Sequence, residues 1–373
     1  MGARLCVVGA GVAGAGIAYA LRGTDVDVTV LEKSRGVGGR AATRRRDGRR
    51  YDHGANYLKS TDPRNAELLD SIGREGLVDV TEPVWLFDAD GRVRPGDDRD
   101  ERKWTFETGI TRLSKRLFAH TDATIRKTTR VERARRTADG WTLRDTDGHD
   151  HGPFDAVCFT PPAPQTADLL AETTVEPVAG TDASVKREEE TAANASTPEE
   201  ETAALTTLTE AVSSIPYRTV RTIVLGYDER IERPYYALLN EDREHPVGWL
   251  AREECKDGHV PDDESLLVVQ MSPAWSTEHY DEPLTEVAPV AANHAADLLD
   301  SDRVRDPDWV DDQGWRYALP DDGIDPSTAR TLEPAGLYLA GDWVAGADRL
   351  HAALWNGVET GERIGERLGE PTG

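Results

Sequence analysis

The chain has 373 residues, a formal net charge of −25 and a mean hydropathy of −0.58. This length can bury a large core, and we expect it to form two domains. The acidity excludes nucleic acid from the expected partners, because a phosphate backbone would be repelled.

The basic residues are 7 lysines and 37 arginines. Scarce lysine beside abundant aspartate, glutamate and threonine is typical of a cytoplasmic protein adapted to high salt, where ions screen the self-repulsion. An ordinary acidic protein is the alternative. No signal peptide or membrane-spanning run is visible, so we expect a cytoplasmic protein without a membrane partner.

The cysteines and histidines form no recognisable metal or redox motif. Cys6, Cys158 and Cys255 make no C-x-x-C pair, and two of them lie in apolar runs. We interpret them as small buried side chains. The nine histidines lack ligand spacing, so no metal is predicted.

The first forty residues carry the dinucleotide-binding fingerprint in its required context. Its parts are a strand at Arg4–Gly9, the glycines Gly9, Gly11 and Gly14, a helix at Val12–Leu21, a strand at Asp27–Leu31 and the acid Glu32. Amide groups at the helix start, at Val12 and Ala13, would point at a pyrophosphate, and Glu32 would accept hydrogen bonds from a ribose. A glycine-rich packing turn would leave the acid unexplained.

A second glycine-rich loop follows at residues 33–43. Its glycines permit positive φ angles, and Arg40 can pair with a phosphate through a planar fork. The run Arg44–Arg46 predicts a solvated turn. The order E-K-x-x-x-x-G-G-R in Glu32–Arg40, followed by D-H-G-A-N-Y in Asp52–Tyr57, resembles the FAD enzymes of the amine oxidase superfamily, and its renalase branch most of all.

This resemblance implies FAD rather than NAD as the bound cofactor. It is non-covalent, because no cysteine follows Cys255 to carry a C-terminal flavin link. The cofactor-binding residues that the resemblance implies in this part of the chain are Lys33, Gly39, Arg40, Ala41, His53, Gly54, Ala55 and Asn56.

The chain then alternates helices and strands up to residue 171. We predict helices at Arg64–Glu75 and Gly109–Ala119, a hairpin at Pro83–Val93, and strands at Thr124–Arg135, Trp141–Arg144 and Asp155–Thr160. The resemblance implies that Val131 contacts the adenine, and plain sheet core is the alternative. Residues 172–210 are acidic and poor in large apolar side chains, which indicates a flexible insertion or an exposed helix from Pro198.

The next block predicts a second sheet with a helix. Its elements are strands at Thr219–Tyr227, Val247–Ala251 and Leu266–Met271 and a helix at Pro283–Leu299. Residues 268–281 and Trp315–Pro320 resemble renalase-type proteins, although Gln313 stands where those have histidine. Aromatic and arginine side chains could grip a dinucleotide substrate; the candidates are Trp275, Trp315, Arg316 and Tyr317. Burial in the core is the alternative for each of them.

The C-terminal stretch returns to the cofactor. We predict a strand at Gly336–Ala340 and a helix at Arg349–Leu368, and "LYLAGDW" resembles the second FAD motif of the superfamily. The resemblance implies cofactor contacts from Gly341, Asp342, Leu350 and His351. A helix N-terminus at the flavin pyrimidine would stabilise negative charge. A turn or capping role is the alternative for Asp342.

We therefore predict an α/β fold, with a Rossmann-like FAD-binding domain built on a parallel sheet. An α+β substrate domain with a mixed or antiparallel sheet accompanies it. The FAD-binding domain is expected at residues 1–80, 105–170 and 326–373, and the substrate domain at 81–104 and 213–325. Residues 171–212 are expected to form the acidic insertion.

The expected function is flavin-dependent oxidation of a small molecule. The renalase resemblance implies dihydro isomers of NAD(P)H as substrates and O2 as the acceptor, giving NAD(P)+ and H2O2. An amine oxidase acting on a small amine is one alternative, and a flavin-free binding scaffold of the same fold is another. No catalytic side chain beyond the flavin is assigned, and the sequence does not set the oligomeric state.

Overall fold

The structure is a computed structural model, and it describes residues 2–97, 101–176 and 197–369. The helices are α1 (Val12–Ala20), α2 (Arg64–Ile72), α3 (Thr111–Ala119), α4 (Ala163–Ala171), α5 (Pro198–Ser213), α6 (Pro273–Glu278), α7 (Leu284–Leu299), α8 (Pro326–Ala329), α9 (Asp342–Ala345) and α10 (Leu350–Leu368). Over the described residues, no helix combines the length and apolar character needed to cross a membrane.

The strands are numbered in chain order. They are β1 (Ala3–Val8), β2 (Val26–Leu31), β3 (Thr43–Arg46), β4 (Arg49–Asp52), β5 (Leu58–Lys59), β6 (Leu77–Asp79), β7 (Val84–Phe87), β8 (Val93–Arg94), β9 (Lys103–Phe106), β10 (Thr124–Arg126), β11 (Val131–Thr137), β12 (Gly140–Asp145), β13 (Asp150–Phe154), β14 (Ala156–Phe159), β15 (Thr174–Val175), β16 (Tyr217–Tyr227), β17 (Ala237–Asn240), β18 (Val247–Arg252), β19 (Ser265–Met271), β20 (Trp309–Pro320) and β21 (Leu337–Leu339).

The chain forms two compact units. The first unit comprises Met1–Gly39, Ser114–Pro216 and Pro320–Gly373, and the second comprises Arg40–Leu113 and Tyr217–Leu319. The bounds predicted from the sequence differ: residues 40–80 and 105–113 were expected in the FAD-binding domain but pack in the second unit. Residues 213–216 and 320–325 were expected in the substrate domain but pack in the first unit. The units are defined by packing, so the assignment of residues to domains by function stays a prediction.

A parallel five-stranded sheet organises the first unit, in the order β10-β2-β1-β14-β21. Leu5 pairs with Val28 on one side and Ala156 on the other. Cys6 and Cys158 are fully buried in these strands, as their apolar runs predicted, and burial raises the pKa of both thiols well above the usual range. The expected Rossmann-like parallel sheet is confirmed.

Helices α1 and α10 pack against each other through glycines. A Cβ atom on Gly357 would lie 2.2 Å from the carbonyl oxygen of Ala13, and one on Gly16 would lie 2.7 Å from that of Leu354. Only residues without a side chain allow the two backbones to approach so closely. The glycines scattered through both helices are therefore required by packing.

The first unit also contains a four-stranded sheet in the order β13-β12-β11-β15. Helix α5 follows the undescribed part of the acidic segment, since residues 177–196 lie outside the described residues. Thr197 caps α5 in a capping box with Glu200, which is the start signal expected near Pro198. Leu208 and Val212 are fully buried, so one face of this helix packs on the unit.

The second unit is built on a mixed seven-stranded sheet in the order β20-β16-β19-β18-β17-β7-β8. Most neighbours are antiparallel, and β7 runs parallel to β17. An apolar cluster that includes Leu225, Leu250 and Val269 packs with α7, which contributes Ala291 and Ala295. This confirms the mixed sheet expected for the substrate domain.

Two local expectations were wrong. The single strand predicted at Thr124–Arg135 is divided into β10, in the five-stranded sheet, and β11, in the four-stranded sheet. Arg44–Arg46 is not a solvated turn but part of β3, which pairs with β4 in register. The turn falls at residues 47–48, where Asp47 and Gly48 both have positive φ. Arginine suits a strand here because its guanidinium finds acceptors, as Arg44 does on the Asp311 carboxylate at 2.6 Å.

Candidate cofactor site

The glycine turn after β1 has the geometry that its sequence predicted. Gly9 has a φ of +103°, which a side chain would strain. A Cβ on Gly14 would lie 2.2 Å from the Gly9 carbonyl oxygen, whereas one on Gly11 would meet nothing within 4 Å. Gly14 is thus fixed by packing, and Gly11 borders open space.

That open space lies at the N-terminus of α1. Gly11 is the N-cap, no side chain of the described residues caps the helix, and its first turn holds no acidic residue. The first N–H groups of a helix lack partners within it, and the helix dipole favours an anion there. Val12 and Ala13 therefore start a helix whose N-terminus suits a phosphate group.

Glu32 ties the two glycine loops together. Its carboxylate accepts a hydrogen bond from the Ala10 N–H at 2.7 Å and another from the Ser34 N–H at 2.7 Å. Each oxygen retains acceptor capacity, so the predicted ribose contact is chemically compatible with this arrangement. The sequence analysis did not anticipate the loop contacts.

The second glycine loop packs against the first. The Gly38 N–H donates to the Ala10 carbonyl at 2.8 Å, and a Cβ on Gly39 would lie 3.2 Å from Gly11 Cα. Lys33 lies beside this loop and donates to Gln165 at 3.3 Å. Burial, with help from Arg130, lowers the pKa of Lys33.

The C-terminal candidates also lie in the first unit. Gly341 has a φ of +150°, and its N–H donates to the Asn356 side chain at 2.9 Å. Asp342 is buried and accepts from the Trp343 N–H at 3.0 Å. Asn356 was missed because the two residues are 15 positions apart, separated by α9, a loop and about two turns of α10.

Helix α10 begins much as α1 does. No side chain caps it within the described chain, and its first turn, which includes Leu350 and His351, has no acidic residue. Its N-terminus therefore suits an anionic group. The packing of α10 on α1 belongs to the same unit as the two glycine loops.

Val131 opens β11 and is 7% exposed. The segment just before it runs along the second loop: the Thr129 N–H donates to the Glu32 carbonyl at 2.8 Å and the Thr128 N–H to that of Ser34 at 3.1 Å. The position is compatible both with the predicted adenine contact and with sheet core.

The remaining cofactor candidates form one patch of the second unit. The Ala55 N–H donates to the Arg40 carbonyl at 2.9 Å, and a Cβ on Gly54 would lie 2.0 Å from that oxygen. Arg40 donates through one guanidinium nitrogen to the Ala318 carbonyl at 2.8 Å. Ala41 is buried. Backbone contacts therefore bring residues 40–41 and 54–55 together.

Three side chains of the sheet hold this patch in place. Thr222 and Trp315 both donate to the His53 carbonyl, at 3.0 and 2.8 Å, and Gln270 donates to the Gly54 carbonyl at 2.8 Å. Thr222 and Gln270 are direct cross-strand partners and share a face of the sheet. Gln270 was missed, although a polar residue inside the apolar run "LLVVQM" was a usable signal.

His53 is held neutral. Its ring stacks on that of Trp315 with centroids 5.4 Å apart. Burial, followed by the charge of Arg44, lowers the pKa of His53 to about 4. Its Nδ1 has no hydrogen-bond partner among the described residues, and neither has Oδ1 of Asn56.

The four substrate candidates do not form one cluster. Trp315 stacks on His53, and Tyr317 meets Tyr217 edge to face at 6.0 Å. Arg316 lies between them on β20 and so points to the opposite side of the strand, where its guanidinium lies 4.1 Å from the ring centre of Tyr280.

Trp275 packs against the apolar cluster below α7 and on His279, 4.4 Å away. This matches the core alternative. Gln313, which stands in the family's histidine position, accepts a hydrogen bond from Arg44 at 3.0 Å. It therefore anchors the β3–β4 hairpin.

A different aromatic group was missed. Tyr57, Tyr236 and Trp249 lie mutually within 6.3 Å between ring centres. The Tyr236 hydroxyl and the Trp249 indole N–H have no hydrogen-bond partner among the described residues. The signal was weak, because these residues come from three separate parts of the chain.

Comparison with known proteins decides the family. The model of the flavin-containing amine oxidoreductases matches residues 92–364, and that of the NAD(P)-binding Rossmann-like domain matches residues 7–72. The chain belongs to the flavin-containing amine oxidoreductase family. It is therefore an FAD-dependent oxidoreductase.

Individual proteins are similar to this chain in sequence or in fold. Protoporphyrinogen oxidase 2 of Arabidopsis thaliana is 40% identical over 72 residues, which cover 19% of this chain and only 14% of that protein. A protein from Exiguobacterium sp. 255-15, provisionally assigned as a protoporphyrinogen oxidase, superposes with a TM-score of 0.73 at 16% identity, over 99% of both chains. Cyclohexylamine oxidase from Brevibacterium oxydans IH-35A gives 0.68 at 14%, also over 99% of both. These two structures share the fold.

The residues present fit the family's cofactor. In the first unit, the start of α1 beside Gly11 carries no capping side chain from the described residues and could take an anionic group such as a pyrophosphate, and Glu32 keeps acceptor capacity that a ribose could use. In the second unit, Asn56 and His53 carry buried polar atoms that have no hydrogen-bond partner among the described residues. FAD is assigned as a non-covalent cofactor.

Proposed function

We propose that this chain is a renalase-like oxidase, which converts dihydro isomers of NAD(P)H to NAD(P)+ with O2 as electron acceptor. The observation that carries the proposal is the loop Glu32–Arg40 together with Asp52–Tyr57, whose sequence resembles the renalase branch. Bound FAD would supply the two-electron redox chemistry of the overall reaction, in which the hydride of the substrate, one proton and O2 give H2O2.

We assign the cofactor contacts as follows. Amide groups from Gly9 to Gly14, including those of Val12 and Ala13, bind the pyrophosphate, and Glu32 binds the adenosine ribose. Lys33, Gly39, Arg40, Ala41, Val131, Gly341 and Asp342 complete the nucleotide contacts. His53, Gly54, Ala55, Asn56, Leu350 and His351 contact the flavin side.

The aromatic group of the second unit supports a planar substrate. Tyr57 and Trp249 are partly buried and offer ring faces, whereas Tyr236 is fully buried beside them. The Trp249 N–H and the buried Tyr236 hydroxyl are donors of the kind that suits the carboxamide oxygen of a nicotinamide. Oxidation of a dihydropyridine produces an aromatic ring and needs orientation more than a base. The lowered pKa of His53, about 4, agrees with this, because it makes the imidazole a weak base.

Anaerobic stopped-flow spectroscopy tests the proposal. The visible flavin band is followed after mixing with the 6-dihydro isomer of NAD(P)H, with ordinary NADPH, and with cyclohexylamine. Rapid bleaching by the 6-dihydro isomer alone is expected, and oxygen should then restore the band with one H2O2 formed per turnover. Bleaching by the amine alone would contradict the proposal.

A small-amine oxidase is the second candidate. Family membership and the shared fold with cyclohexylamine oxidase favour it. Such a site must hold an unprotonated amine between aromatic rings, and Tyr57 with Trp249 could serve. The same stopped-flow experiment separates the two, and a colourless preparation that takes up no FAD would instead indicate a binding scaffold.

We also propose a cytoplasm of high salt as the source of the chain. The net charge of −25 and the presence of only 7 lysines support this. Dense carboxylates keep a surface hydrated when salt screens their repulsion. The test is stability: the unfolding temperature should rise steeply with KCl concentration up to the molar range. A flat dependence would contradict the proposal.

A further inference from the structure

The second unit contains a buried group of four charged or titratable side chains: Asp52, Glu253, Lys256 and His259. The side chains of all four are 0% exposed. Asp52 ends β4, and the other three lie on the short helical turn at Glu253–Cys255 and the residues that follow it. Burying so many charges is costly unless they are paired.

Lys256 is the centre of this tetrad. Its ammonium group lies 3.1 Å from an Asp52 carboxylate oxygen and 2.6 Å from one of Glu253. Oxygen and nitrogen atoms of Asp52, Glu253 and His259 also lie within 4.8 Å of one another, as metal ligands do. The ammonium group takes the position that a cation would need, so we do not interpret the tetrad as a metal site.

The hydrogen bonds balance the charge. His259 places Nε2 2.9 Å from the Phe106 carbonyl and Nδ1 2.9 Å from Glu253. Both neighbours are acceptors, so one proton must be shared between Glu253 and Nδ1 of His259. Wherever that proton lies, the Lys256 ammonium is balanced by the Asp52 carboxylate, and the tetrad is neutral.

The tetrad fixes the start of the candidate cofactor segment. Asp52 accepts hydrogen bonds from Thr43, Thr105 and the Ile110 N–H, at 2.6 to 3.1 Å. Its own N–H donates to Glu253 at 3.0 Å. The next residue is His53, so the direction in which residues 53–56 leave β4 depends on where Asp52 is held.

We propose that Lys256 is a positioning residue for FAD binding, acting through Asp52 on the segment His53–Asn56. This inference rests on the proposed function, because it takes that segment to contact the flavin. Without Lys256, the tetrad holds one uncompensated carboxylate. This buried negative charge is neutralised when the tetrad takes up a proton and reappears when that proton leaves. The position of the segment His53–Asn56 therefore becomes dependent on pH.

Other titratable groups near Lys256 cannot supply the missing charge. The Tyr236 ring centre lies 5.8 Å from the ammonium, and burial raises the pKa of this tyrosine well above its usual value. His53 is adjacent in sequence and neutral, since burial and then Arg44 lower its pKa to about 4. The charge of Lys256 is one cause of the lowered pKa of Asp52, so its loss leaves the compensating proton to be taken up within the tetrad itself.

The test compares FAD affinity over pH in four proteins: wild type, Lys256→Met, the double variant Asp52→Asn with Lys256→Met, and Lys59→Met. The last is a matched control, since Lys59 pairs with Glu101 in the same unit with both side chains 28% exposed. FAD is removed, and rebinding is followed by flavin fluorescence.

We expect the Lys256→Met variant to lose FAD affinity by about tenfold or more between about pH 6 and pH 9. The FAD affinities of wild type, Lys59→Met and the double variant should follow the same pH dependence, because the tetrad stays neutral in each of these proteins. If Lys256→Met alone does not fold, the double variant still tests the inference, because its neutral tetrad should allow it to fold and to bind FAD with the pH dependence of wild type.

Two results would overturn the inference. One is a Lys256→Met profile parallel to that of wild type. The other is a double variant that shows the same pH-dependent loss as Lys256→Met. A wild type that binds no FAD would instead overturn the proposed function, so the two failures are distinguishable.

Discussion

His53 and Trp315 are bound to each other twice. Their rings stack with planes 13° apart, and the Trp315 indole N–H donates to the His53 carbonyl. The ring contact fixes the His53 side chain, and the hydrogen bond fixes the His53 carbonyl. Residues 54–56 therefore leave His53 in a defined direction.

The His53 carbonyl should show coupling between its two donors. Trp315→Phe and Thr222→Val each leave one donor in place, and each should lower the free energy of unfolding by about 1 kcal/mol. The double variant leaves the buried His53 carbonyl without either donor. Its loss of unfolding free energy should therefore exceed the sum of the two single losses by about 1–3 kcal/mol. Urea unfolding of the four proteins measures this. Strict additivity would contradict the shared acceptor.

Gln270 gives a prediction about hydrogen-bond direction. Its amide donates to the Gly54 carbonyl, and glutamate in its place would set two acceptors against each other while ionised. Gln270→Glu should therefore be less stable than Gln270→Leu at about pH 8. The variant's folded pKa is raised, so the deficit should shrink as pH falls through it. A deficit that does not vary with pH would contradict the assigned geometry.

Gly11 and Gly14 should separate binding from folding. A Cβ on Gly11 meets nothing, so Gly11→Ala should unfold within about 1 kcal/mol of wild type while its FAD affinity falls by about tenfold or more. Gly14→Ala places a methyl group against the Gly9 carbonyl and should cost about 1–3 kcal/mol of stability. Urea titrations and FAD rebinding measure the two effects. Equal loss of stability in both variants would contradict the distinction.

Asp145 should contribute stability that is lost in acid. The hydrogen bond from His151, at 2.8 Å, lowers the pKa of Asp145 to about 2, with help from the N–H groups of His149 and Asp147. A depressed folded pKa stabilises the native state above the unfolded value near 4, and that contribution fades as pH falls towards about 2. Wild type should exceed Asp145→Asn in stability at about pH 6.

The comparison is made by urea unfolding at about pH 6 and about pH 3, with Asp147→Asn as a control. Asp147 lies on the same turn, but its side chain is exposed. The advantage of wild type over Asp145→Asn should be smaller at the lower pH. An advantage that grows as pH falls would contradict the assigned role of Asp145.

Local patterns predicted the first unit well. A strand, glycine turn, helix and acid within 32 residues are dictated by short-range chemistry, and the roles of Gly9 and Gly14 followed directly. Glu32 was found for the same reason. Its contacts with Ala10 and Ser34 were not, because they depend on how the two loops fold back on each other.

The second unit was harder to predict because its important contacts join distant residues. Thr222, Gln270 and Trp315 meet residues 53–54 from more than 160 positions away. Lys256 is one of only 7 lysines, which is a hint, but no spacing rule links it to Asp52. The prediction of a turn at Arg44–Arg46 was wrong because it rested on the charge of the three arginines. The acceptors that these side chains find in the folded chain are not visible in the local sequence.

The packing of α1 on α10 also sets an order of events during synthesis. The second unit is complete when residue 319 has been made, whereas β21 and α10 come later. Until then β14 lacks a neighbour on one side, and the glycine surface of α1 at Gly16 faces water. The unit begun first on the ribosome is therefore finished last, and until then the free edge of β14 is open to pairing with other strands.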